Sequence, residues 1–269
     1  MKGRVLIIAG SDSGGGAGIQ ADIKTVTALQ GYAATAITAV TVQNTQGVSA
    51  VHDIPEDIIR AQMEAVLSDI GADCLKTGML SRSGVIETVA SVIRRHGAHL
   101  PFVLDPVMVA KGGAALLASE AKTALIEELL PLATLITPNA PEAEALTGLP
   151  VRSVADLGPA AERLGQMGAR AVLLKGGHVA GETVVDLLYA AGKMQRFTSP
   201  RIESTSTHGT GCTLASAIAC GLAQGLTLPQ AVARARAYVW QAIASAPGLG
   251  HGHGPLNHGH TVGEFTGLD

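Results

Sequence analysis

Thr207-His208-Gly209-Thr210-Gly211-Cys212 is a run of small and polar residues that opens directly onto Thr213-Leu214-Ala215-Ser216-Ala217-Ile218-Ala219. Glycines in such a turn let successive backbone N–H groups converge, and a helix starting there adds partial positive charge. Thr207, Gly209, Thr210 and Gly211 are therefore a candidate cradle for a phosphate-bearing anion, without the Gly-Lys-[Ser/Thr] of a P-loop. Cys212 stands at its mouth. A thiol at a helix N-terminus is expected to have a lowered pKa and to serve as base for, or hydrogen-bond to, a substrate hydroxyl. The alternative is a small residue that merely fits.

Lys175 follows Val172-Leu173-Leu174 and precedes Gly176-Gly177. Its ammonium can meet a phosphate as a point charge, or be only a solvated strand end. Asp105 closes Phe102-Val103-Leu104 ahead of Pro106, where an acid can coordinate metal, polarise a hydroxyl or simply serve a turn. Asn139 and Glu142 stand three apart at a helix start. Their oxygens can hold hydrated Mg²⁺, and the same pair can cap the helix; the two readings are compatible. Gln43 offers a donor beside an acceptor, a match for a ring nitrogen next to an exocyclic amine. Met79 and Met108 can wall a flat ring, although core packing is the commoner role of Met.

A second glycine cluster, Gly10-Ser11-Asp12-Ser13-Gly14-Gly15-Gly16-Ala17-Gly18, lies near the N-terminus. It fails as a dinucleotide fingerprint. With Gly14 and Gly16 as its first two glycines, the third position is Ile19, and no matching acid ends the second strand. A loop that approaches substrate closely, or plain turn chemistry, suits it better. The tail His251-Gly252-His253-Gly254-Pro255-Leu256-Asn257-His258-Gly259-His260 looks like a metal tract, but its Gly and Pro content and lack of carboxylate or Cys partners favour a loop.

Positioning these residues requires strands that end where they begin. Continuous apolar runs predict strands at Val5–Ala9, Ala34–Val42, Cys74–Thr77, Phe102–Leu104, Leu135–Thr137 and Ala171–Leu174. Helices are predicted over Gly18–Leu29, Glu56–Leu67, Ser83–His96, Ser119–Leu130 and Val154–Met167. Such alternation is the pattern of a doubly wound α/β domain, whose ligands bind beyond the carboxyl ends of the strands. Val184–Tyr189 and Met194–Phe197 then flank the hairpin turn Ala190-Ala191-Gly192-Lys193. Helices Gly211–Ala223 and Leu228–Ala244 follow. No linker or repeat divides the 269 residues, so one domain is expected.

Composition narrows the classes. Apolar residues make up 47% but aromatics only 3%, so Ala, Val, Leu and Ile must build the core. A net charge of −3 without basic runs argues against a nucleic-acid partner. Cys74, Cys212 and Cys220 lack metal-ligand spacing and suggest a reducing compartment. Met1-Lys2-Gly3-Arg4 leads straight into a short strand, and no apolar run approaches a membrane span; a cytoplasmic protein with no membrane partner is expected.

Taken in order, Ala9-Gly10-Ser11-Asp12 with Gly14–Asp22, then Gln43-Asn44-Thr45, Lys76-Thr77-Gly78-Met79 and Asp105-Pro106-Val107-Met108 form one series. Thr137-Pro138-Asn139 with Pro141-Glu142, Leu174-Lys175-Gly176-Gly177-His178 and Thr207–Cys212 complete it. This series resembles the hydroxymethylpyrimidine/phosphomethylpyrimidine kinases of the ribokinase-like superfamily, over essentially the whole chain. The resemblance implies a three-layer α/β/α fold with a central, mostly parallel sheet, and a homodimer. It implies two successive ATP- and Mg²⁺-dependent phosphorylations, of 4-amino-5-hydroxymethyl-2-methylpyrimidine and then of its monophosphate.

Carried over by position, Gln43 reads the aminopyrimidine edge, and Gly10, Asp22, Met79 and Met108 belong to its pocket. Asn139 and Glu142 support Mg²⁺, in part through water. Lys175 meets ATP phosphates, and Gly209 to Cys212 form the anion hole. Sugar-kinase relatives carry an Asp general base where this chain has Cys212, so the base stays open, with Asp105 a candidate contributor. Pyridoxal kinase, a non-catalytic pyrimidine sensor and a dehydrogenase are the competing readings.

Overall fold

The computed structural model describes residues 1–109, 113, 116–118 and 120–267. Among the described residues nine strands form one sheet: β1 (Arg4–Asp12), β2 (Tyr32–Asn44), β3 (Gly47–Asp53), β4 (Cys74–Thr77), β5 (Phe102–Leu104), β6 (Leu135–Ile136), β7 (Ala171–Leu174), β8 (Thr183–Ala190) and β9 (Lys193–Pro200). Their order is β3-β2-β1-β4-β5-β6-β7-β8-β9. The six strands from β2 to β7 in that order are parallel, while β3, β8 and β9 add antiparallel edges.

The α-helices of the described residues cover the two faces: α1 (Gly18–Ala28), α2 (Glu56–Ser68), α3 (Ser83–Val92), α4 (Ala121–Ala124), α5 (Ala140–Thr147), α6 (Leu157–Gln166), α7 (Thr210–Ala223) and α8 (Leu228–Ala244). The two-residue period of a strand decides the layers. Leu6 and Ile8 join a core with Ile59 and Met63 of α2, Val85 and Val89 of α3, and Leu164 of α6. Val5, Ile7 and Ala9 point the other way, into a core with Val26 of α1, Ile218 of α7 and Val232 of α8. Both faces are dry, which is why the inner strands read as unbroken apolar runs. This is the expected three-layer α/β/α arrangement.

The chain leaves β1 for β2 and β3, then returns to β4 on the other side of β1. That reversal opens a crevice at the carboxyl ends of the parallel strands. Among the described residues no helix is long and apolar enough to cross a membrane.

Several boundaries differ from expectation. β2 runs beyond Ala34–Val42 at both ends and pairs with β3, which the sequence pattern did not mark. β3 is an edge strand whose Ser49, Ala50, Val51 and His52 are exposed, so it lacks the apolar signature of its neighbours. The helix predicted over Ser83–His96 ends at Val92 and continues as a π-helical turn, Ile93–Gly97. The Ser119–Leu130 prediction begins on a residue outside those described. From Ala121 it becomes α4, a π-helical turn over Leu125–Leu129 and a 3₁₀ turn over Leu130–Leu132. The predicted hairpin is present, with Ala191 (φ 48°) and Gly192 (φ 73°) in the left-handed conformation of a type I′ turn.

Candidate active site

A cavity of about 730 Å³ lies over the carboxyl ends of the parallel strands. Its walls include Gly10, Gln43, Met79, Asp105, Met108, Asn139, Glu142, Lys175 and the turn from Thr207 to Cys212. The strand ends thus bring together nearly every residue that the sequence singled out. Asp22 is the exception. It is 0% exposed and sits behind the wall, where Lys76 donates to both its oxygens at 2.9 and 2.8 Å and the Ser216 hydroxyl donates at 2.7 Å. Lys76, not Asp22, reaches the cavity. Asp22 is a counter-charge: removing one partner of such a buried pair generally costs about 3–5 kcal/mol.

The turn before α7 opens on the cavity through a left-handed glycine. Gly209 holds φ 81°, and a Cβ there would collide with the Gly16 carbonyl. Only glycine suits both demands. No side chain caps α7. The Thr210 hydroxyl is occupied, donating to the Thr207 carbonyl at 2.8 Å, so Thr207 and Thr210 shape the turn. The first N–H groups of a helix have no intrahelical partner, and here Gly211 and Cys212 supply them at the cavity.

Lys175 and Asp105 converge on that point. A Cβ built on Gly211 would lie 3.3 Å from Lys175 Nζ and 3.8 Å from Asp105 Oδ2. Lys175 Nζ donates to Asp105 Oδ1 at 3.1 Å, and the Thr137 hydroxyl donates to the same oxygen at 2.9 Å. Oδ2 is left as the oxygen turned towards Gly211. Glu142 Oε2 lies 3.9 Å from Lys175 Nζ. Burial opposes the Lys175 charge, but Asp105 and Glu142 outweigh it and hold the pKa above the usual lysine value. Lys175 is therefore a charged ammonium with 13% of its side chain open to solvent.

Asn139 and Glu142 form a capping box. Glu142 N–H donates to Asn139 Oδ1 at 2.9 Å, and Asn139 N–H donates to Glu142 Oε2 at 2.7 Å. Burial pushes the Glu142 carboxyl up to about 7, with Lys175 pulling it down and Asp105 pushing it up. Among the described residues no group of three or more His, Cys, Asp or Glu side chains could hold a metal ion. One carboxylate and one amide, all oxygen donors, suit a Mg²⁺ that keeps most of its waters and arrives on phosphates, rather than a protein cage.

Cys212 departs from expectation. Its thiol is half-buried on the cavity floor, and burial pushes its pKa up to about 12. Lys76 pulls it down, while Asp22 and Asp105 push it further up. Burial is the largest of these effects, so the resting group is a thiol and not the readily ionised one the position suggested.

The glycine cluster after β1 is arranged otherwise. Gly10 and Gly18 line the cavity, and Gly10 packs on the Met79 sulfur, 3.2 Å from where its Cβ would be. The middle of the cluster wraps the Asp12 carboxylate, which accepts from the N–H of Gly14 at 2.8 Å, Gly16 at 3.2 Å and Ala17 at 2.8 Å. His208 Nε2 lies 2.8 Å from Asp12 Oδ2. Asp12, His208 and Lys76 are the site residues that sequence reasoning missed. An Asp just ahead of a glycine run is a signal for a side chain that binds its own loop, and a Lys inside an apolar strand demands a counter-charge.

The His-rich tail is a loop, as its composition indicated. Thr213 Oγ1 lies 3.0 Å from the buried His258 Nε2, His260 Nε2 lies 3.0 Å from the Tyr238 carbonyl, and Tyr238 donates its hydroxyl to the His258 carbonyl.

Comparison with known proteins adds to this geometry. The sequence profile of the family described as Phosphomethylpyrimidine kinase matches residues 12–257. The chain is 52% identical to the thiamine biosynthesis bifunctional protein ThiED of Geobacter sulfurreducens, over 96% of its own length and 52% of that protein, so it spans about half of that relative. It is 50% identical to the hydroxymethylpyrimidine/phosphomethylpyrimidine kinase of Rhizobium meliloti, over 97% of this chain and 98% of that one. The pyridoxal kinase of Staphylococcus aureus, solved with AMP-PCP and pyridoxal, superposes with a TM-score of 0.88 at 36% identity, covering 96% and 94% of the two chains. The chain belongs to the phosphomethylpyrimidine kinase family.

Proposed function

We propose that this member of the phosphomethylpyrimidine kinase family transfers the γ-phosphoryl group of ATP to 4-amino-5-hydroxymethyl-2-methylpyrimidine, and then a second one to the monophosphate, for thiamin biosynthesis. One observation carries the reading: uncapped amides of Gly211 and Cys212, the Lys175 ammonium and Asp105 Oδ2 meet in the same cavity that Gln43 lines.

Phosphoryl transfer asks little covalent work of the protein; alignment and charge neutralisation dominate. The Gly211 and Cys212 N–H groups and Lys175 are fixed in advance where charge develops on the transferred group, so they need no reorganisation during reaction. Gln43 pairs with the aminopyrimidine edge, while Gly10 leaves room for the flat ring between Met79 and Met108. Asn139 and Glu142 are the residues that would hold Mg²⁺, in part through water, and the ion when bound would supply charge neutralisation to the phosphates.

Asp105 Oδ2 is the base in this reading. It takes the alcohol proton as the new P–O bond forms and ADP leaves, because Cys212 holds its own proton until about pH 12. In the second transfer the nucleophile is a phosphate oxygen whose second pKa is about 6, so it is already ionised and needs no base. The reading includes a single kinase domain over 1–269 acting as a cytoplasmic homodimer. Three free cysteines and the exposed Val40, Val42 and Val51 on the β2–β3 hairpin support it.

Mass spectrometry of products made from ATP, Mg²⁺ and the pyrimidine alcohol tests the proposal. The monophosphate is expected first and the diphosphate after it. Binding without phosphorylated product, or a strong preference for pyridoxal in direct competition, overturns it.

A further inference from the structure

Asp12 and His208 stand 196 residues apart in the chain, yet they form a closed contact between the loop after β1 and the turn before α7. Asp12 ends β1 and is only 3% exposed; His208 is 8% exposed and lies directly before Gly209. An ionised carboxylate has no hydrogen to give, so the hydrogen in the 2.8 Å contact belongs to His208 Nε2. Burial works against the Asp12 charge, but His208 and the N–H groups of Ala17 and Gly14 prevail and hold its pKa below the usual carboxylate value. The acceptor is therefore permanently charged near neutral pH, and the contact is of the stronger, charge-assisted kind.

Further contacts surround this pair. The Gln43 carboxamide nitrogen packs 3.4 Å from the same His208 Nε2 without a hydrogen bond, because that nitrogen gives its hydrogen to Asp12, and the Thr41 hydroxyl donates to Gln43 Oε1 at 3.0 Å. The backbone of Gln43 is tied to the glycine loop: its N–H donates to Ser13 Oγ at 2.9 Å, and that hydroxyl donates to the Gln43 carbonyl at 2.7 Å. His208 N–H donates to the Gly254 carbonyl at 3.0 Å, and His253 N–H donates to the Thr45 carbonyl at 2.8 Å. Gly16 completes the fit, since a Cβ there would press on the His208 ring and on Pro255.

We infer that Asp12 and His208 are a positioning pair that fixes Gln43 against the amides of the α7 N-terminus, so that an acceptor held by the first is aligned with a phosphoryl group held by the second. The inference rests on the kinase reading above. The pair acts through Gln43 and the turn, not by contact with reacting atoms. Lys175, Asp105 and Glu142 lie outside the ring of contacts that it closes.

His208→Ala separates this role from a general structural one. The expected result is a KM for the pyrimidine alcohol raised about tenfold or more, with affinity for AMP-PCP within about twofold of the parent. His208→Gln, whose side-chain amide can donate to Asp12 Oδ2, is expected to bring KM back to within about threefold. A KM within about twofold of the parent in His208→Ala, no recovery in His208→Gln, or AMP-PCP affinity falling in step with KM overturns the inference. The parent enzyme in the same assay separates the two claims. A parent that makes no phosphorylated pyrimidine removes the kinase reading and the pair with it, whereas an active parent beside an unaffected His208→Ala removes the pair alone.

Discussion

Two glycine-rich turns follow strands and precede helices in this chain, and they end up with opposite fates. Around Gly14 to Ala17 the backbone N–H groups converge on an anion that the chain itself provides, the Asp12 carboxylate. Around Gly209 to Cys212 no side chain caps the helix, and the convergent groups face a cavity with Lys175 beside them. Glycines allow amides to converge in both places. What decides whether such a turn receives a ligand is whether an internal acceptor has already filled it. In the proposed reading the filled turn is a fixture that shapes the acceptor pocket, and the open one receives the phosphate.

The contrast breaks most visibly at Lys175. If the open turn holds the transferred phosphoryl group, Lys175→Ala removes a preorganised charge from it. Turnover in the kinase assay is expected to fall about 10²–10³-fold, the usual cost of losing one such donor. Substrate binding should change far less. A smaller consequence concerns the proton. With its pKa at about 12, Cys212 stays protonated throughout the range from pH 6 to 10. The pH–rate profile of the first phosphorylation should therefore show no limb that disappears in Cys212→Ala, and that variant should slow the reaction by less than about tenfold. Loss of an alkaline limb in Cys212→Ala, measured from initial rates across that range, would return the thiol to the role of base.

Much of this difference was hidden in the sequence, for physical reasons. The inner strands were readable because burial on both faces leaves unbroken apolar runs such as Val5–Ala9 and Ala171–Leu174. β3 was not, because an exposed edge strand carries Ser49, Ala50 and His52 without an apolar face. Strand-end residues such as Asp105 and Lys175 were readable because the doubly wound pattern says where ligands bind. Asp22 was misplaced for the converse reason. The resemblance puts it near the pocket, but only packing shows Lys76 standing between it and the cavity. Cys212 was misjudged because its helix position is written in the sequence, whereas desolvation depends on what surrounds it. The partnership of Asp12 with His208 joins residues 196 positions apart, and no local pattern announces it.

The central claim is that the open turn, not the filled one, holds the phosphates. A crystal structure with AMP-PCP, Mg²⁺ and the pyrimidine alcohol tests it most directly. Phosphate oxygens within hydrogen-bond distance of the Gly211 and Cys212 amides and of Lys175 Nζ are predicted, with the Asp12 contacts to Gly14, Gly16 and Ala17 intact. Phosphates seated on Gly14 to Ala17, with Asp12 displaced, would contradict the account.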